Sequence, residues 1–153
     1  SIKKEEVTFN EVFENVFVQL NFLIDQHKPT IKIKLGKDSL PSINKAYLES
    51  ILLNLLTNAI KYRQHSKKLN VTITTKAKKD KVIMTFEDNG IGIDMSRNKE
   101  KIFGLYQRFH NYPDSKGLGL YLVKSQVETM GGTIEVQSEV NVGTKFTLTF
   151  NNY

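Results

Sequence analysis

Two asparagines four residues apart, Asn54 and Asn58, are followed one helical turn later by Lys61. On a helix over 47–62, at about 100° per residue, these three share a face with Ser50, with Ile51 and Tyr62 at its edge. Leu48, Leu52, Leu55, Leu56 and Ala59 take the opposite face and must be core. An idle exposed face usually carries Lys, Glu or Arg, whereas a mid-helix asparagine competes with the backbone. Amide oxygens and an ammonium in one line could hold a hydrated metal ion and its phosphates. A plain solvent-facing stripe is the other reading of the same spacing.

Two glycine segments add further chemistry. Asp88-Asn89-Gly90-Ile91-Gly92-Ile93 directly follows a predicted strand. A carboxylate at a strand end can accept from an exocyclic amine, and glycines let a flat ring approach the backbone. Gly117-Leu118-Gly119-Leu120 opens a predicted helix, where free N–H groups and the helix dipole favour a phosphate. Neither segment is a dinucleotide fingerprint, and the GxxxxGK[ST] pattern does not occur. Each is equally readable alone as a strand stop or a turn.

The elements that must carry these groups follow from periodicity. Thr8 and Asn10 offer N-cap chemistry before Val12, Phe13, Val16, Phe17, Leu20, Leu23 and Ile24, which predict one helix ending before Pro29. Ile31 to Leu35 alternates as a strand, and a second helix runs from Ser42 or Asn44 to about Tyr62. Val71–Thr74 and Val82–Phe86 read as antiparallel neighbours joined through a lysine-rich turn. A third helix starts near Gly117 and stops at Gly131-Gly132, followed by strands at Thr133–Gln137 and Thr144–Phe150. The expectation is an α/β (α+β) two-layer sandwich, with three helices on one face of a mixed, mostly antiparallel five-stranded sheet. Residues 1–7 read as a lead-in from an upstream domain and residues 8–153 as the domain itself. The irregular stretch from Asp88 to Lys116 is long enough to suggest a functional loop.

Bulk properties fit one globular domain of 153 residues with 39% hydrophobic and 25% charged residues. No run approaches the roughly 20 apolar residues of a membrane span, and Ser1 to Glu6 carries no secretion signal. The lack of cysteine removes disulfides, thiolate metal sites and cysteine nucleophiles, and fits a reducing compartment. The net charge of +6 is spread thinly. Its densest runs, Lys67-Lys68 and Lys76 to Lys81, lack interleaved aromatics, which favours solvated lysines over a nucleic-acid patch. Excess positive charge also suits a polyphosphate ligand.

Taken in order, the segments resemble the catalytic domain of two-component sensor histidine kinases, within the group that includes gyrase, MutL and ATP-driven heat-shock chaperones. The resemblance runs from about Val7 to Phe150. Asn54 to Tyr62 is similar to the family's asparagine box, and Asp88 to Ile93 to its first glycine box. Ile102-Phe103-Gly104-Leu105-Tyr106-Gln107-Arg108-Phe109 resembles the phenylalanine box, and Lys116 to Leu120 the second glycine box. Met130 to Ile134 and Val142 to Phe146 resemble the closing segments.

The resemblance implies ATP and Mg²⁺ as cofactors and a role for each matching residue. Asp88 accepts from the adenine amino group, while Gly90, Gly92 and Ile93 complete that loop and Gly92 lets the ring lie close. Tyr62 packs near the ring, and Thr144 helps from the last strand pair through water. Asn58 supplies an oxygen to Mg²⁺. Asn54, Lys61, Arg108 and the amides around Gly117 and Gly119 face the phosphates, and Lys116, Leu118 and Leu120 complete the nucleotide-binding set. Met95 to Lys116 forms the lid, pinned by Phe103. The chain departs from the pattern at Ser115, where an extra glycine is usual, and at Gly104-Leu105-Tyr106, where a proline and a second phenylalanine are usual. The lid is also short, with Pro113 inside it.

Related ATPases carry a water-activating glutamate at the position of Asn54, and an amide is no general base at neutral pH. Glu49 lies almost opposite the polar stripe and cannot substitute. This implies phosphoryl transfer to an outside acceptor rather than hydrolysis. Phosphoacceptor histidines of the family are followed by an acid, unlike His27, His65 and His110 here. The acceptor is therefore expected on a separate histidine-bearing dimerisation domain, with a response regulator downstream. No nucleic-acid partner is expected, and any membrane link would run through other parts of a longer protein. The expected location is the cytoplasm. The alternatives are a nucleotide-binding interaction module without transfer activity and a related ATPase.

Overall fold

Alternation along the strands sets the sheet. Val71, Ile73 and Thr75 are buried along β4 (Asn70–Lys78), as are Val82, Met84 and Phe86 along β5 (Lys81–Asp88). Thr144, Phe146, Leu148 and Phe150 are the matching set on β7 (Gly143–Asn151). With β2 (Thr30–Leu35) and β6 (Thr133–Glu139) these form a five-stranded sheet in the order β2-β4-β5-β7-β6. Only β2 and β4 pair in parallel; the other pairs are antiparallel. The structure is a computed structural model that describes residues 5–36, 39–104 and 119–151.

The inner face is covered by α1 (Phe9–Gln19), α3 (Lys45–Lys61) and α5 (Gly119–Thr129). The helix α3 begins where the Asn44 side chain accepts from the Tyr47 N–H at 2.9 Å, a capping bond that satisfies an otherwise orphaned donor. It buries Leu48, Ile51, Leu52, Leu55, Leu56, Ala59 and Ile60. Ile51 is therefore core rather than the edge of the polar face. Each of these buried Leu and Ile side chains contributes about 1.5–3 kcal/mol over an exposed one. Phe86, wholly buried at the sheet centre, sits in the same cluster.

The layers and the main sheet are those expected, but the helix count is not. The described residues hold five helical segments rather than three. The expected first helix breaks at Leu20 (φ −101°, ψ 12°) into α1 and α2 (Asn21–His27). The break keeps Leu20 buried and lets Leu23 and Ile24 pack on the core, while Val18 and Phe22 face solvent. A single turn, α4 (Met95–Asn98), is capped by the Asp94 side chain. A second small sheet was also not foreseen: β1 (Glu5–Thr8), mostly within the expected lead-in, pairs antiparallel with β3 (Ser39–Ile43). Among the described residues no helix is long and apolar enough to cross a membrane.

Candidate functional site

The polar end of the sheet is built from one row of residues. Asp88, the last residue of β5, is directly opposite Thr144 on β7, which is directly opposite Ser138 on β6. All three occupy inward positions of strands that are otherwise apolar on that side. The Asp88 carboxylate accepts from the backbone N–H groups of Gly90, at 2.8 Å, and Thr144. Burial nevertheless pushes its pKa up to about 6; the two hydrogen bonds oppose that rise, and nearby Glu87 adds slightly to it. Ser138 accepts from the Ile93 N–H at 2.8 Å and lies 2.9 Å from the Gly143 carbonyl and 2.7 Å from the Thr144 hydroxyl.

Close backbone contacts fold the loop after β5 onto this row. A methyl group on Gly90 would lie 2.7 Å from the Tyr62 carbonyl oxygen and 2.9 Å from Asp88 Oδ1. Gly92 has φ +74°, and a methyl there would overlap the Glu139 carbonyl oxygen at 2.0 Å. Glycine at 92 is thus demanded by backbone packing, independently of any ring. Gln64 ties the same loop down, its side-chain NH₂ reaching the carbonyls of Asn89, Gly90 and Asn141 at 3.0–3.1 Å.

The polar stripe of α3 faces the start of α5. A methyl on Gly119 would lie 3.6 Å from Asn54 Oδ1 and 3.6 Å from Asn58 Nδ2. The side-chain NH₂ of Asn54 donates to the Ser50 carbonyl at 3.0 Å, as a mid-helix amide does when it bonds back to the preceding turn. Lys61 sits beside Tyr62, its ammonium 5.7 Å from the ring centre. Glu49 points elsewhere and accepts from Asn15 of α1 at 2.8 Å.

Leu55, Asn58, Tyr62, Asp88, Gly92, Ile93, Leu120, Thr144 and Phe146 surround one narrow cleft of about 40 Å³. A wider hollow of about 470 Å³ lies along the same strand ends, edged by Glu87, Gln137 and Lys145. The narrow cleft is the better candidate, because there the raised carboxyl, the α3 amides and the apolar walls converge. Phe103 is anchored beside it, its ring 6.4 Å from that of Phe146 and covered by the Lys124 ammonium at 5.5 Å.

Asn54, Asn58, Lys61, Tyr62, Asp88, Gly90, Gly92, Ile93, Phe103, Gly119, Leu120 and Thr144 thus gather around this end of the sheet. Arg108, Lys116, Gly117 and Leu118 lie outside the described residues, as do His110 and most of the expected lid. Ser138 and Gln64 were not among the expected site residues. Ser138 had a usable signal, a polar residue at the inward position after Ile134 and Val136; Gln64 had none. No group of three or more His, Cys, Asp or Glu side chains among the described residues could hold a metal. An Asn oxygen aided by phosphates and water suits a hard, strongly hydrated ion such as Mg²⁺, and Asn58 is placed to offer one.

Residues 43–153 match the family described as histidine kinase-, DNA gyrase B- and HSP90-like ATPase. The chain is 32% identical over 152 residues to the sensor protein RprX of Bacteroides fragilis, covering 95% of this chain and 29% of that protein. It is 27% identical over 157 residues to the histidine protein kinase SaeS of Staphylococcus epidermidis, covering 97% of this chain and 44% of that protein. It therefore spans less than half the length of these relatives. Among solved structures, the catalytic domain of histidine kinase ThkA superposes with a TM-score of 0.81 at 23% identity, covering 99% of this chain and 97% of that one. At that identity the likeness concerns the fold.

Proposed function

The chain belongs to the histidine kinase-, DNA gyrase B- and HSP90-like ATPase family, and from that premise we propose that it is the ATP-binding catalytic domain of a sensor histidine kinase. It passes the γ-phosphoryl group of ATP to a histidine on a separate dimerisation domain, for onward transfer to a response regulator. The observation that carries this reading is the meeting of Asp88, Thr144 and Asn58 around one cleft beside the start of α5.

In this reading Asp88 accepts from the adenine amino group, with Thr144 beside it. Tyr62, Gly90, Gly92, Ile93 and Leu120 frame the ring, and Phe103 anchors the lid. Asn54, Lys61 and Arg108 face the phosphates, as do Lys116, Gly117, Leu118 and Gly119. Asn58 would hold Mg²⁺, which supplies charge neutralisation to the phosphates. An imidazole nitrogen of the acceptor forms a bond to the γ-phosphorus as the bond to the β–γ bridging oxygen breaks and ADP leaves. The domain's own contribution is positioning and charge. We place it in the cytoplasm, with any membrane link made by other parts of a longer protein.

The test is to mix the chain with candidate histidine-bearing domains and ATP labelled at the γ-phosphate. An acid-labile, base-stable label on the acceptor is expected, as for a phosphoramidate. ATP binding without transfer to any acceptor tried, its own parent's included, would instead indicate a nucleotide-binding module.

A further inference from the structure

Ser138 forms a hydrogen-bond node in which the direction of every proton is fixed by its partners. The Ile93 N–H can only donate to Ser138 Oγ, at 2.8 Å. The Gly143 carbonyl, at 2.9 Å, can only accept, so it takes the single Ser138 hydroxyl proton. The third contact, 2.7 Å to Thr144 Oγ1, then needs the proton of Thr144. The reverse arrangement would leave Ser138 Oγ and the Gly143 carbonyl oxygen facing each other with no proton between them. Thr144 is 8% exposed and lies on the wall of the cleft beside Asp88. With its proton committed to Ser138, only its lone pairs remain for a ligand.

On the nucleotide-binding reading above, we propose that Ser138 is a positioning residue that turns the Thr144 hydroxyl into an acceptor toward the cleft and so selects a purine with an amino group at C6 over one with an oxo group at C6. Thr144 and the Asp88 carboxylate then present acceptors side by side. An exocyclic amine has two N–H donors to meet them, whereas an oxo group would set lone pairs against lone pairs. Sites whose polar groups are left unpaired by the wrong ligand discriminate strongly.

The test is calorimetric titration of ADP and of GDP, at constant Mg²⁺, into the chain and its variants. Ser138→Ala releases the Thr144 proton, which can then turn to an oxo group. The ADP-to-GDP affinity ratio should fall on the order of tenfold, the factor set by one redirected hydrogen bond. Ser138→Thr keeps a hydroxyl at the node and should preserve the ratio. A purely structural role would weaken both nucleotides by the same factor, and that result overturns the proposal. Should Ser138→Ala not fold, Thr144→Val decides: ADP affinity should fall while GDP affinity holds, and an equal loss of both again overturns it. A wild-type chain that binds neither nucleotide removes the nucleotide reading and this proposal together. Tight ADP binding with a ratio unmoved by Ser138→Ala removes only the role of Ser138.

Discussion

Gly143 lies directly against Asp88: a methyl group on it would stand 2.0 Å from the Asp88 carbonyl oxygen, at a φ of +146°. The turn between β6 and β7 can press onto the end of β5 only because nothing projects there. Gly92 does the same in the other direction against Glu139. Two glycines thus hold the Asp88 loop and the β6–β7 turn together, and the cleft is formed where they meet.

Gly143→Ala should therefore destabilise the fold by at least about 2 kcal/mol, combining backbone strain with a clash. Gly131→Ala is the control, since Gly131 has φ +78° but its nearest neighbour would be Asn151 Nδ2 at 4.0 Å. It should cost about 1 kcal/mol, from conformation alone. Urea unfolding of both variants checks the contrast, and equal losses would show that contact with Asp88 does not govern the glycine at 143.

Asp88 predicts a pH dependence of definite sign. Its folded value of about 6 exceeds the ordinary value of 3.8, so the folded state holds the proton more tightly. That stabilisation is full below pH 4 and is lost as pH rises through 6, on the order of 3 kcal/mol in all. Asp88→Asn should remove this contribution and raise stability above pH 6. The same substitution should weaken ADP binding by about 1.5–3 kcal/mol through loss of a charge-assisted bond. In the wild type, ADP affinity should fall as pH drops below 6. Calorimetry at pH 5 and 8 checks both; a folded Asn variant with unchanged ADP affinity would sink the adenine assignment.

Much of this site was legible in the sequence because its parts are local. Asparagines on a helix face, a carboxylate before glycines and alternating strands each leave a pattern in consecutive residues. What was not legible depends on contacts between distant segments. The break at Leu20 has no proline or glycine to mark it and keeps that leucine in the core. The pairing of β1 with β3 joins short segments more than 30 residues apart, one of them containing Pro41. Gln64 acquires its role only when Asn89 and Asn141 are brought beside it.

Asn58 predicts a metal-specific loss. If its amide oxygen holds Mg²⁺, Asn58→Ala should abolish most Mg²⁺-dependent ATP binding and spare much of the metal-free ADP binding. Its half-buried position between Leu55 and Tyr62 tolerates a smaller side chain, so the helix should survive. Titrations with and without Mg²⁺ measure the split. An equal loss in both conditions would point to a disturbed α3 and end the metal role.

Asn54 predicts what the isolated chain will fail to do. Its NH₂ group is engaged with the Ser50 carbonyl, and its oxygen faces the start of α5. An amide oxygen can accept a hydrogen bond from water but cannot remove its proton at neutral pH. Glu49, a neighbouring carboxylate on α3, is bound to Asn15 and cannot take over. The purified chain should therefore bind ATP yet release phosphate at the background rate, and Asn54→Ala should leave that rate unchanged. On the kinase reading, adding a histidine-bearing domain should change the outcome, because docking would bring a nucleophile that needs no such base. In well-oriented systems that proximity can be worth ~7–11 kcal/mol. Transfer should then appear, and Asn54→Ala should slow it through poorer phosphate positioning. The measurements are phosphate release by the chain alone and label transfer once the acceptor is present. Sustained release by the chain alone, abolished by Asn54→Ala, would overturn the kinase reading in favour of an ATPase.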